Sequence, residues 1–552
     1  MKIALAQINL HVGNIADNTT KIVFCIKKAQ QFEADLLVFP ELSICGYPPL
    51  DMLDYKDFIY KCQYAVEKIA KICTDIAVVI GSPSFNPNRE GKSLYNSAYF
   101  LFDGKIQSIH HKTLLPDYDV FDEYRYFEPN KEFNIIEYKG KRIALTICED
   151  LWIEQNFDRS FGNKRLYTVS PMEKLADQKP DLILNIAASP FAWTKVQDKK
   201  EIFMNVAKKY ELPVFMVNQV GANTDLIFEG GSLVVNDKGE IFDRISWFEE
   251  DLQIYELEEV LKSPAHGTNL ATSESRRLIY KALVLGIKDF FLKSGFHKAL
   301  IGLSGGIDSA ITAVLAVEAL GAENVYCVFM PSKYSSALSA KDAEKLAKTL
   351  DVAYNVIEID HLMDAFKNSL EPVFENLPED TTEENIQARI RGTLLMAMAN
   401  KFGVIMLNTS NKSESAVGYG TLYGDMNGAL SVLGDLYKTQ VYEIARYINM
   451  KEEIIPETTI SRAPSAELKT GQKDTDSLPD YEILDNILYG YIEQQKHAAA
   501  LTEEGNYDSE VIEKVIQMVN ATEHKRNQAP PVLRISSKSF GRGRRMPLVA
   551  RY

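Results

Sequence analysis

Short strand-like runs alternate with amphipathic stretches along almost the whole chain, and this alternation restricts the fold more than any other feature. The first half, to about residue 260, contains KIALAQINL, DLLVF, IAVVIGS, RIALTIC, DLILNIA and PVFMVNQ. Runs of this length are typical of strands, and their alternation with helical periodicity indicates layered α/β structure. Because 552 residues exceed what one core normally covers, we expect at least two domains.

A polar segment separates the two halves. The last strand-like run of the first half, DLQIYEL, is followed by SPAHGTNLATSES at 263–275, and an apolar-periodic helix is predicted near 276–292. We therefore predict one domain at 1–262 and another at 275–552. The second begins with KALIGL, SGGID and SAITAVLAVEAL, in the strand, turn and helix order of a doubly wound parallel sheet, which binds ligands at the carboxyl ends of its strands. Further on, the polar segment 462–479 is predicted to be a long loop that orders on binding.

Composition argues against several functions. Lys and Arg total 61 against 76 Asp and Glu, a formal charge of −15, so we expect no nucleic-acid partner. No run approaches the about 18 apolar residues of a membrane helix, and the N-terminus lacks a signal peptide's basic start, so we expect a cytoplasmic protein with no membrane partner. The six cysteines form no C-x-x-C pair and no metal-like spacing with histidines, which argues against a disulfide scaffold and a zinc site.

The run Ser304-Gly305-Gly306-Ile307-Asp308-Ser309 lies where a predicted strand ends and a helix begins. Glycines let the backbone approach phosphate oxygens closely, and a helix N-terminus adds N–H donors and a favourable dipole. A tight turn with a helix cap is the alternative for an isolated Gly-Gly pair. The run is not a Walker A loop, because no Gly-Lys-Ser/Thr follows. Asp308 suggests a Mg²⁺ site, since a carboxylate and a phosphate repel each other without a cation.

SGGIDS resembles the signature of the ATP pyrophosphatases, which split ATP into AMP and pyrophosphate while adenylating a carboxylate or carbonyl oxygen. The segments NIQARIR, which places Arg389 and Arg391 near a predicted helix start, NTSNKSE, SAEL and DTDSLP follow in that order. Together they resemble NAD synthetases through most of residues 275–552. The resemblance implies deamido-NAD as acceptor, ATP as co-substrate and Mg²⁺ as cofactor. It also implies two steps, in which the nicotinate carboxylate is adenylated by ATP and ammonia then displaces AMP.

Carried over by position, the resemblance implies two sets of binding residues. ATP would be bound by Gly302, Leu303, Ser304, Gly305, Gly306, Ile307, Asp308, Ser309 and Thr409. Deamido-NAD would be bound by Asn385, Glu414, Lys525 and Lys538, and Mg²⁺ by Asp308 and Glu414. The stretch RISSKSFGRGRR, which contains Lys538, carries five basic residues and no acid, as phosphate binding requires. A solvated basic tail is the alternative. The roles of Arg542, Arg544 and Arg545 stay open, because this run differs from the family pattern.

In the first half three ionisable residues follow predicted strands: Glu41 after LLVFP, Lys112 after KIQSIHH and Cys148 after RIALTI. Taken alone, Cys148 is a buried small residue, since the adjacent Glu149 and Asp150 would raise its pKa. Together the contexts FPE, HKTLLP and ICED resemble the Glu-Lys-Cys triad of the nitrilase superfamily, over about residues 1–260. This implies an α-β-β-α sandwich in which Glu41 accepts the thiol proton, Cys148 attacks an amide carbon and Lys112 stabilises the oxyanion.

The resemblance also implies L-glutamine as the amide substrate. Ser189, within NIAASPF, and Lys195 are similar to the amino-acid end of a glutaminase pocket, and Tyr118, within LLPDYDVF, is similar to a family residue at that site. Tyr118 and Ser189 could equally be packing or turn residues. Glu123 is similar to the superfamily's fourth, supporting glutamate, and a surface carboxylate is the alternative.

A nitrilase-like domain ahead of an NAD synthetase-like domain resembles the glutamine-dependent NAD synthetases over nearly the whole chain. The resemblance implies a homo-oligomer and an interior passage for ammonia, which would otherwise become non-nucleophilic ammonium. Two alternatives remain. The chain could be another glutamine-fed ATP pyrophosphatase, such as a GMP synthetase-like enzyme, although that class usually carries a Cys-His-Glu glutaminase. The first domain could also be an inactive partner of an ammonia-using synthetase.

Overall fold

The computed structural model describes residues 1–152, 166–262, 272–375, 377–505 and 507–550. The chain divides into two compact units, Met1–Ala271 and Thr272–Tyr552. Most of the polar segment predicted at 263–275 lies outside the described residues. Within the described ranges, no helix is long and apolar enough to cross a membrane.

The first unit is built from fourteen strands and six α-helices among its described residues. The strands are β1 (Lys2–Gln7), β2 (Leu36–Val38), β3 (Ala77–Phe85), β4 (Leu94–Phe102), β5 (Lys105–His111), β6 (Ile136–Tyr138), β7 (Lys141–Ile147), β8 (Leu182–Ala187), β9 (Val214–Asn218), β10 (Val220–Asn223), β11 (Leu226–Glu229), β12 (Leu233–Val235), β13 (Ile241–Arg244) and β14 (Asp251–Glu256). The helices are α1 (Ile15–Gln31), α2 (Lys56–Ala70), α3 (Glu123–Tyr126), α4 (Pro171–Ala176), α5 (Val196–Tyr210) and α6 (Leu257–Lys262). All of the strand-like runs recognised in the first half of the sequence form strands.

Two six-stranded sheets face each other in this unit. Their strand orders are β14-β1-β2-β3-β4-β5 and β13-β12-β9-β8-β7-β6. Ile3 and Leu5 of β1 pack with Ile143 and Leu145 of β7 in one core, whereas Ala4, which points the other way, packs with residues of α1 and α2 in a second core. Alternate side chains of a strand point to opposite faces, so β1 is covered on both sides. Because α4 and α5 cover the outer face of the second sheet, the predicted α-β-β-α sandwich is confirmed.

The second unit is built from five strands and twelve α-helices among its described residues. The strands are β15 (Ala299–Gly302), β16 (Val325–Phe329), β17 (Ala353–Val356), β18 (Ile405–Asn408) and β19 (Leu430–Ser431). The helices are α7 (Thr272–Ser294), α8 (Ile307–Leu320), α9 (Ala337–Thr349), α10 (Asp360–Phe374), α11 (Thr381–Phe402), α12 (Lys412–Val417), α13 (Lys438–Ile448), α14 (Glu457–Ser461), α15 (Tyr481–Leu488), α16 (Ala498–Gly505), α17 (Ser509–Ala521) and α18 (Glu523–Arg526).

The five strands form one parallel sheet in the order β17-β16-β15-β18-β19. The chain moves outward from β15 through β16 to β17 and then crosses back to β18 on the other side of β15. The strand order therefore reverses between β15 and β18, and ligands of doubly wound sheets bind at the carboxyl ends of strands at such a point. SGGIDS follows β15 and Thr409 follows β18, so candidate site residues lie at the carboxyl ends of both strands, at this crevice.

Two local predictions concern α11 and segment 462–479. The predicted position of Arg389 and Arg391 near a helix start is wrong, because both residues lie in the middle of α11. The helix begins earlier because Asp380 caps it, its side chain accepting from the Thr382 N–H while its own N–H donates to Glu383 at 2.8 Å. Segment 462–479 is a loop, as predicted, with one 3₁₀ turn at Asp474–Asp476. Ordering of this loop on binding stays a prediction.

Candidate functional site

Glu41, Lys112 and Glu123 meet in the interior of the first unit. Lys112 Nζ lies 2.7 Å from Glu41 Oε1 and 2.8 Å from Glu123 Oε1, and all three side chains are buried. Burial lowers the pKa of Lys112, but the charges of Glu123 and Glu41 outweigh it and hold that pKa well above its usual value. The charged ammonium is therefore the favoured form of Lys112. Glu123 belongs to this cluster, so its interpretation as a surface carboxylate is wrong.

Two polar residues that the sequence did not single out hold the carboxylates of this cluster. The Asn96 side-chain amide donates to Glu41 Oε1 at 2.7 Å and to Glu123 Oε2 at 3.3 Å. Tyr47 Oη donates to Glu123 Oε1 at 2.8 Å, and the Ala188 N–H donates to Glu41 Oε2 at 3.1 Å. Each carboxylate oxygen thus has at least one donor, which lets two acids stay close together in a dry interior. No sequence pattern marks Asn96 or Tyr47, because each comes from a different strand or loop.

Cys148 begins a 3₁₀ turn directly after β7 and has a φ of 45°. Positive φ costs energy for a residue with a Cβ, and such strain is often found at functional sites. Burial raises the pKa of the Cys148 thiol well above its usual value, and the charge of Glu41 raises it further while Lys112 lowers it. The resting cysteine is therefore a thiol, so a nucleophilic role requires a base, and Glu41 carries a charge that acts on it directly.

Tyr118 and Lys195 are associated with Glu149, the residue after Cys148. Tyr118 Oη donates to Glu149 Oε1 at 2.8 Å, and Tyr167 Oη donates to the same oxygen at 3.0 Å. Burial raises the pKa of Glu149, while the hydrogen bond from Tyr118 and the positive charge of Lys195 lower it. Two residues that the sequence assigned to glutamine binding thus act on the carboxylate that follows the cysteine: Tyr118 by a hydrogen bond and Lys195 by its charge.

Ser189 and Cys148 line one small cavity of about 50 Å³, together with Asn185 and Asn218. The Ser189 N–H donates to Asn218 Oδ1 at 2.9 Å, which fixes the loop after β8. Five large apolar side chains complete much of the wall: Trp152, Phe203, Met216, Leu233 and Trp247.

In the second unit SGGIDS forms a tight turn between β15 and α8. The Ser304 N–H donates to Ser309 Oγ at 3.1 Å, and the Gly306 N–H donates to Ser304 Oγ at 3.2 Å. Gly305 has a φ of 80°, and a Cβ there would lie 2.3 Å from the carbonyl oxygen of Ser339 in α9. Glycine is therefore required at 305 for two reasons, the backbone conformation and the close approach of another helix.

Asp308 and Glu414 converge on one lysine that the sequence analysis missed. Lys438 Nζ lies 2.6 Å from Asp308 Oδ2 and 3.1 Å from Glu414 Oε1. Asn411 also donates to Asp308 Oδ1 at 2.9 Å. Burial lowers the pKa of Lys438, but the charges of Asp308 and Glu414 reverse that effect and raise it. Lys438 starts α13 in the unremarkable run LYKTQ, so only the packing of that helix reveals it.

The same geometry tests whether this pair could hold Mg²⁺. Among the described residues, no group of three or more His, Cys, Asp or Glu side chains is placed to hold a metal ion. Asp308 and Glu414 nevertheless direct one oxygen each at a common cation, the Lys438 ammonium. Mg²⁺ is usually held by one or two carboxylates together with substrate phosphates and waters, and two converging carboxylates beside a phosphate turn fit that pattern.

These residues line a cavity of about 280 Å³ at the crevice between β15 and β18. Among the predicted ATP ligands, the cavity is lined by Gly302, Leu303, Ser304, Gly306, Ile307, Asp308, Ser309 and Thr409. Gly305 is not among the described residues that line the cavity, and its carbonyl accepts from Arg462 Nη2 at 2.8 Å. Arg391 and Arg462 add two cations to the wall, and burial lowers the pKa of Arg391 to about 10. The cavity wall thus combines three cations, Arg391, Arg462 and Lys438, with five acids: Asp308, Glu414, Asp425, Glu467 and Asp474. Phosphate-turn N–H groups and cations suit phosphate oxygens, and neighbouring carboxylates suit a metal ion that accompanies a nucleoside triphosphate.

The predicted deamido-NAD residues are distributed differently. Glu414 lines this cavity, but among the described lining residues there is no Asn385, Lys525 or Lys538. Asn385 Oδ1 accepts from Thr421 Oγ1 at 2.8 Å, and Lys525 Nζ donates to the carbonyls of Gly418 and Gly420, each at 2.8 Å. Asn385 and Lys525 therefore border the same segment, 418–421, which follows α12.

Lys538 belongs to the C-terminal basic stretch, and a buried lysine of the second unit, Lys412, forms a hydrogen bond with the backbone of that stretch. Lys412 Nζ is fully buried, lies 2.8 Å from both Asp435 Oδ1 and Glu493 Oε1, and donates to the Lys538 carbonyl at 2.8 Å. Arg544 pairs with Glu523 at 2.5 Å, whereas Arg542 and Arg545 are exposed. The interpretation as a wholly solvated tail is wrong, because much of the stretch is held by buried charges.

Comparison with known proteins identifies both units. Residues 2–263 match the carbon-nitrogen hydrolase family and residues 279–529 match the NAD synthase family. A glutamine-dependent NAD(+) synthetase from Synechocystis is 45% identical over 552 residues, covering 99% of this chain and 98% of the relative. The chain belongs to the glutamine-dependent NAD(+) synthetases. Another member, from Thermotoga maritima, is 36% identical over 588 residues, covering 100% of this chain and 99% of the relative.

Solved structures agree with this membership. A glutamine-dependent NAD+ synthetase from Acinetobacter baumannii, solved with ADP, is 40% identical with a TM-score of 0.77, covering 99% of this chain and 98% of the other. One from Cytophaga hutchinsonii has a TM-score of 0.84 at 20% identity, covering 100% and 98%, and supports the fold alone. The predicted fusion of a nitrilase-superfamily glutaminase with an NAD synthetase is confirmed, and so is the prediction that the chain is a glutamine-using ligase. The GMP synthetase-like alternative is wrong.

Proposed function

We propose that the first unit releases ammonia from L-glutamine with Cys148 as the nucleophile. Glu41 takes the thiol proton, and the sulfur attacks the side-chain amide carbon. Lys112 stabilises the resulting oxyanion, and the intermediate collapses to a thioester as ammonia leaves with the proton from Glu41. Water then hydrolyses the thioester, giving glutamate and restoring the thiol. Glu123 keeps Lys112 charged and in place.

One observation carries this assignment: the charges of a buried acid and of a buried lysine of raised pKa both act on a strained cysteine whose thiol pKa is raised. Glu41 and Lys112 are 2.7 Å apart, and the charges of both act on Cys148. A thiol of raised pKa needs a base within the site, and an oxyanion formed in a dry interior needs a fixed positive charge. Tyr118, Ser189 and Lys195, with Glu123, are proposed to hold and orient the glutamine.

We propose that the second unit adenylates the nicotinate carboxylate of deamido-NAD and then aminates it. The SGGIDS turn with Thr409 would bind ATP, and Asn385, Glu414, Lys525 and Lys538 would bind deamido-NAD. The carboxylate oxygen attacks the α-phosphorus and pyrophosphate leaves. Ammonia next attacks the acyl carbon of the adenylate, AMP leaves with its electron pair, and the attacking nitrogen loses a proton. Lys438 is added to the predicted set, because its ammonium faces the phosphate turn.

Asp308 and Glu414 are proposed to hold Mg²⁺ when ATP is bound. The ion would neutralise phosphate charge as pyrophosphate leaves. Both carboxylates now form ion pairs with Lys438. When ATP binds, the lysine would pair with a phosphate oxygen instead, and the two carboxylates would then bind the ion. We further propose domains at 1–262 and 275–552, a homo-oligomeric assembly and a cytoplasmic location.

The proposal is tested by incubating the purified chain with deamido-NAD, ATP, Mg²⁺ and amide-¹⁵N-glutamine. Mass spectrometry should detect ¹⁵N-labelled NAD, with AMP and glutamate formed together. Glutamate without NAD would support the first unit but require another acceptor for the second. Turnover of neither substrate would contradict the proposal. Omitting Mg²⁺ should abolish NAD formation from glutamine and from ammonium salts alike.

A further inference from the structure

Lys412 is a fully buried lysine of the second unit to which the proposed chemistry assigns no role. It is the first residue of α12, and it belongs to the run NTSNKSE that also contains Thr409 and Glu414. Lysine is rarely buried in full unless its charge is paired, because removing that charge from water costs much free energy. A buried ammonium within a run of proposed binding residues therefore requires an explanation.

Two buried carboxylates hold the Lys412 ammonium. Nζ lies 2.8 Å from Asp435 Oδ1 and 2.8 Å from Glu493 Oε1, and the side chains of both acids are buried. It also donates to Ser536 Oγ at 2.9 Å, and it lies 4.8 Å from the centroid of the Tyr437 ring. Burial lowers the pKa of Lys412, but the charges of Asp435 and Glu493 reverse that effect and raise it. The side chain is therefore held as a cation in one position.

The two acids that pair with this lysine also bind the C-terminal basic stretch. Asp435 Oδ2 accepts from the Ile535 N–H at 2.8 Å and from the Ser536 N–H at 2.6 Å. Glu493 Oε2 accepts from Ser537 Oγ at 2.8 Å. Hydrogen bonds to charged groups in a dry interior are strong and directional, so three consecutive residues of the stretch are fixed to the interior of the unit.

Lys412 itself contacts the next residue of the stretch. Its Nζ donates to the Lys538 carbonyl at 2.8 Å. Lys538 is the residue of this stretch that is proposed to bind deamido-NAD, and its backbone position determines which region its side chain can reach. Binding groups need supporting contacts that hold them in the productive geometry. The bond from Lys412 is such a contact, because it fixes the peptide group from which the Lys538 side chain extends.

Helix α12 is fixed by contacts that do not involve the Lys412 ammonium. Asn411 caps the N-terminus of the helix. Ser413 Oγ donates to Asp485 Oδ1 at 2.5 Å and accepts from the Lys438 N–H at 2.9 Å, which joins α12 to the start of α13. The groups proposed to bind Mg²⁺ and phosphate should therefore keep their positions when that ammonium is removed, whereas the basic stretch loses a contact.

We propose that Lys412 is a positioning residue that places Lys538 for binding deamido-NAD. The inference rests on the proposed role of Lys538 and adds the buried group that fixes it. Lys412 does not contact the substrate and acts through the backbone of the basic stretch. Its loss should therefore weaken the binding of deamido-NAD and leave the binding of ATP nearly unchanged, because the phosphate turn and α12 have contacts of their own.

The test is Lys412→Met in the full chain, assayed for NAD formation from ammonium salts so that the first unit is not required. Methionine keeps an unbranched apolar side chain and removes the ammonium. We expect KM for deamido-NAD to rise about tenfold or more, because a displacement of about 1 Å can cost about a hundredfold. The kcat and the KM for ATP should change by less than about threefold, since the contacts of the ATP site remain.

A second substitution tests whether Lys412 acts through Lys538. Lys538→Met should also raise KM for deamido-NAD, and the double variant should be no worse than Lys538→Met alone, because a positioning residue has no effect once the side chain that it places is gone. If Lys538→Met raises this KM while Lys412→Met does not, or if the two increases multiply in the double variant, the present proposal is overturned. An unchanged KM in Lys538→Met would instead show that the proposed role of Lys538 is wrong, and this inference would fail with it.

A matched control separates positioning from general stabilisation. Lys293→Met removes the lysine that pairs with the buried Asp289 at 3.2 Å within α7, so it also leaves a buried carboxylate of the second unit without that partner. This variant should leave KM for deamido-NAD unchanged. Should Lys412 only stabilise the fold, Lys412→Met would lower the melting temperature and the kcat while each KM stayed the same, and that result would overturn the proposal.

A milder variant keeps the proposal testable if Lys412→Met does not fold. Ser537→Ala removes the hydrogen bond to Glu493 and leaves the three charges of the cluster in place. KM for deamido-NAD should then rise about threefold with an unchanged KM for ATP, as expected for the loss of one hydrogen bond that fixes the stretch. An unchanged KM for deamido-NAD in Ser537→Ala would in that case overturn the proposal.

Discussion

At the residue scale, the reactivity of Cys148 depends on charges from separate parts of the chain. Its thiol is deprotonated with difficulty because burial and the carboxylate of Glu41 both raise its pKa. Lys112 opposes this effect, but its ammonium is shared between Glu41 and Glu123 at 2.7 and 2.8 Å. The resting site therefore keeps the proton on the sulfur of Cys148. We expect that proton to pass to Glu41 when the substrate is bound and the sulfur attacks.

This raised pKa predicts how Cys148 reacts without substrate. Only the thiolate is alkylated, and a thiol whose pKa lies above its usual value has little thiolate at neutral pH. The rate of alkylation by iodoacetamide should therefore be low at pH 7 and rise continuously through pH 9, with no plateau below it. Mass spectrometry of the peptide containing Cys148 measures this rate, and Cys148→Ala identifies alkylation at other cysteines. A plateau near pH 7 would contradict the raised pKa.

At the scale of single elements, the phosphate turn depends on its fit against a neighbouring helix. Gly305 lies where a Cβ would come within 2.3 Å of the Ser339 carbonyl oxygen, and its φ is 80°. The turn cannot shift freely, because the Gly305 carbonyl accepts from Arg462 and the Ser304 N–H donates to Ser309. Backbone shape rather than side-chain chemistry therefore determines whether the turn can receive a phosphate.

Gly305→Ala should impair ATP binding strongly. The added methyl group must displace either the turn or α9, so we expect KM for ATP to rise and NAD synthesis to fall by more than tenfold. Gly295→Ala is a matched control, because Gly295 has a φ of 74° but nothing within 4 Å of the added Cβ. That variant carries only the cost of a left-handed backbone, about 1–2 kcal/mol of stability. Equal effects of the two substitutions on ATP binding would argue against the role assigned to the turn.

At the scale of the whole molecule, each unit has its own core and its own candidate site. The cavity beside Cys148 is lined by residues of Met1–Ala271, and the cavity beside Asp308 by residues of Thr272–Tyr552. Neither set of reacting groups includes a residue of the other unit. The two chemistries should therefore be separable by single substitutions, even though ammonia connects them.

Cys148→Ala should lose NAD synthesis from glutamine but keep it from ammonium salts, because the adenylation site is intact. Asp308→Ala should lose synthesis from both nitrogen sources, because it removes one proposed Mg²⁺ ligand and one of the two carboxylate partners of Lys438. NAD formation measured with each nitrogen source checks both. Full glutamine-dependent activity of Cys148→Ala would contradict the nucleophile assignment, and full activity of Asp308→Ala would exclude its proposed role. Absence of glutamine-dependent activity in the unsubstituted chain would favour the alternative of an inactive first domain.

The sequence predicted most of the fold for a physical reason. Strand-like runs such as RIALTIC and IAVVIGS are short, apolar and rich in β-branched residues, and these local properties are the ones that burial in a sheet selects. The ends of helices are harder to predict. Helix α11 begins at Thr381 because Asp380 caps it, and its first turn is polar, so hydrophobic periodicity does not mark the start of the helix. Candidate residues that follow strands, such as Glu41 and Asp308, could be found because strand ends are recognisable in sequence.

The sequence by itself determined the two α/β domains, the family, and the residues at strand ends that carry its motifs. Only the tertiary structure revealed Asn96 and Lys438, because each contacts a partner far away along the chain: Asn96 contacts Glu41 and Lys438 contacts Asp308. A motif records which side chain is present, whereas burial and charge depend on which neighbours packing brings to it. The raised pKa of the Cys148 thiol is a consequence of such neighbours, and no local pattern contains it.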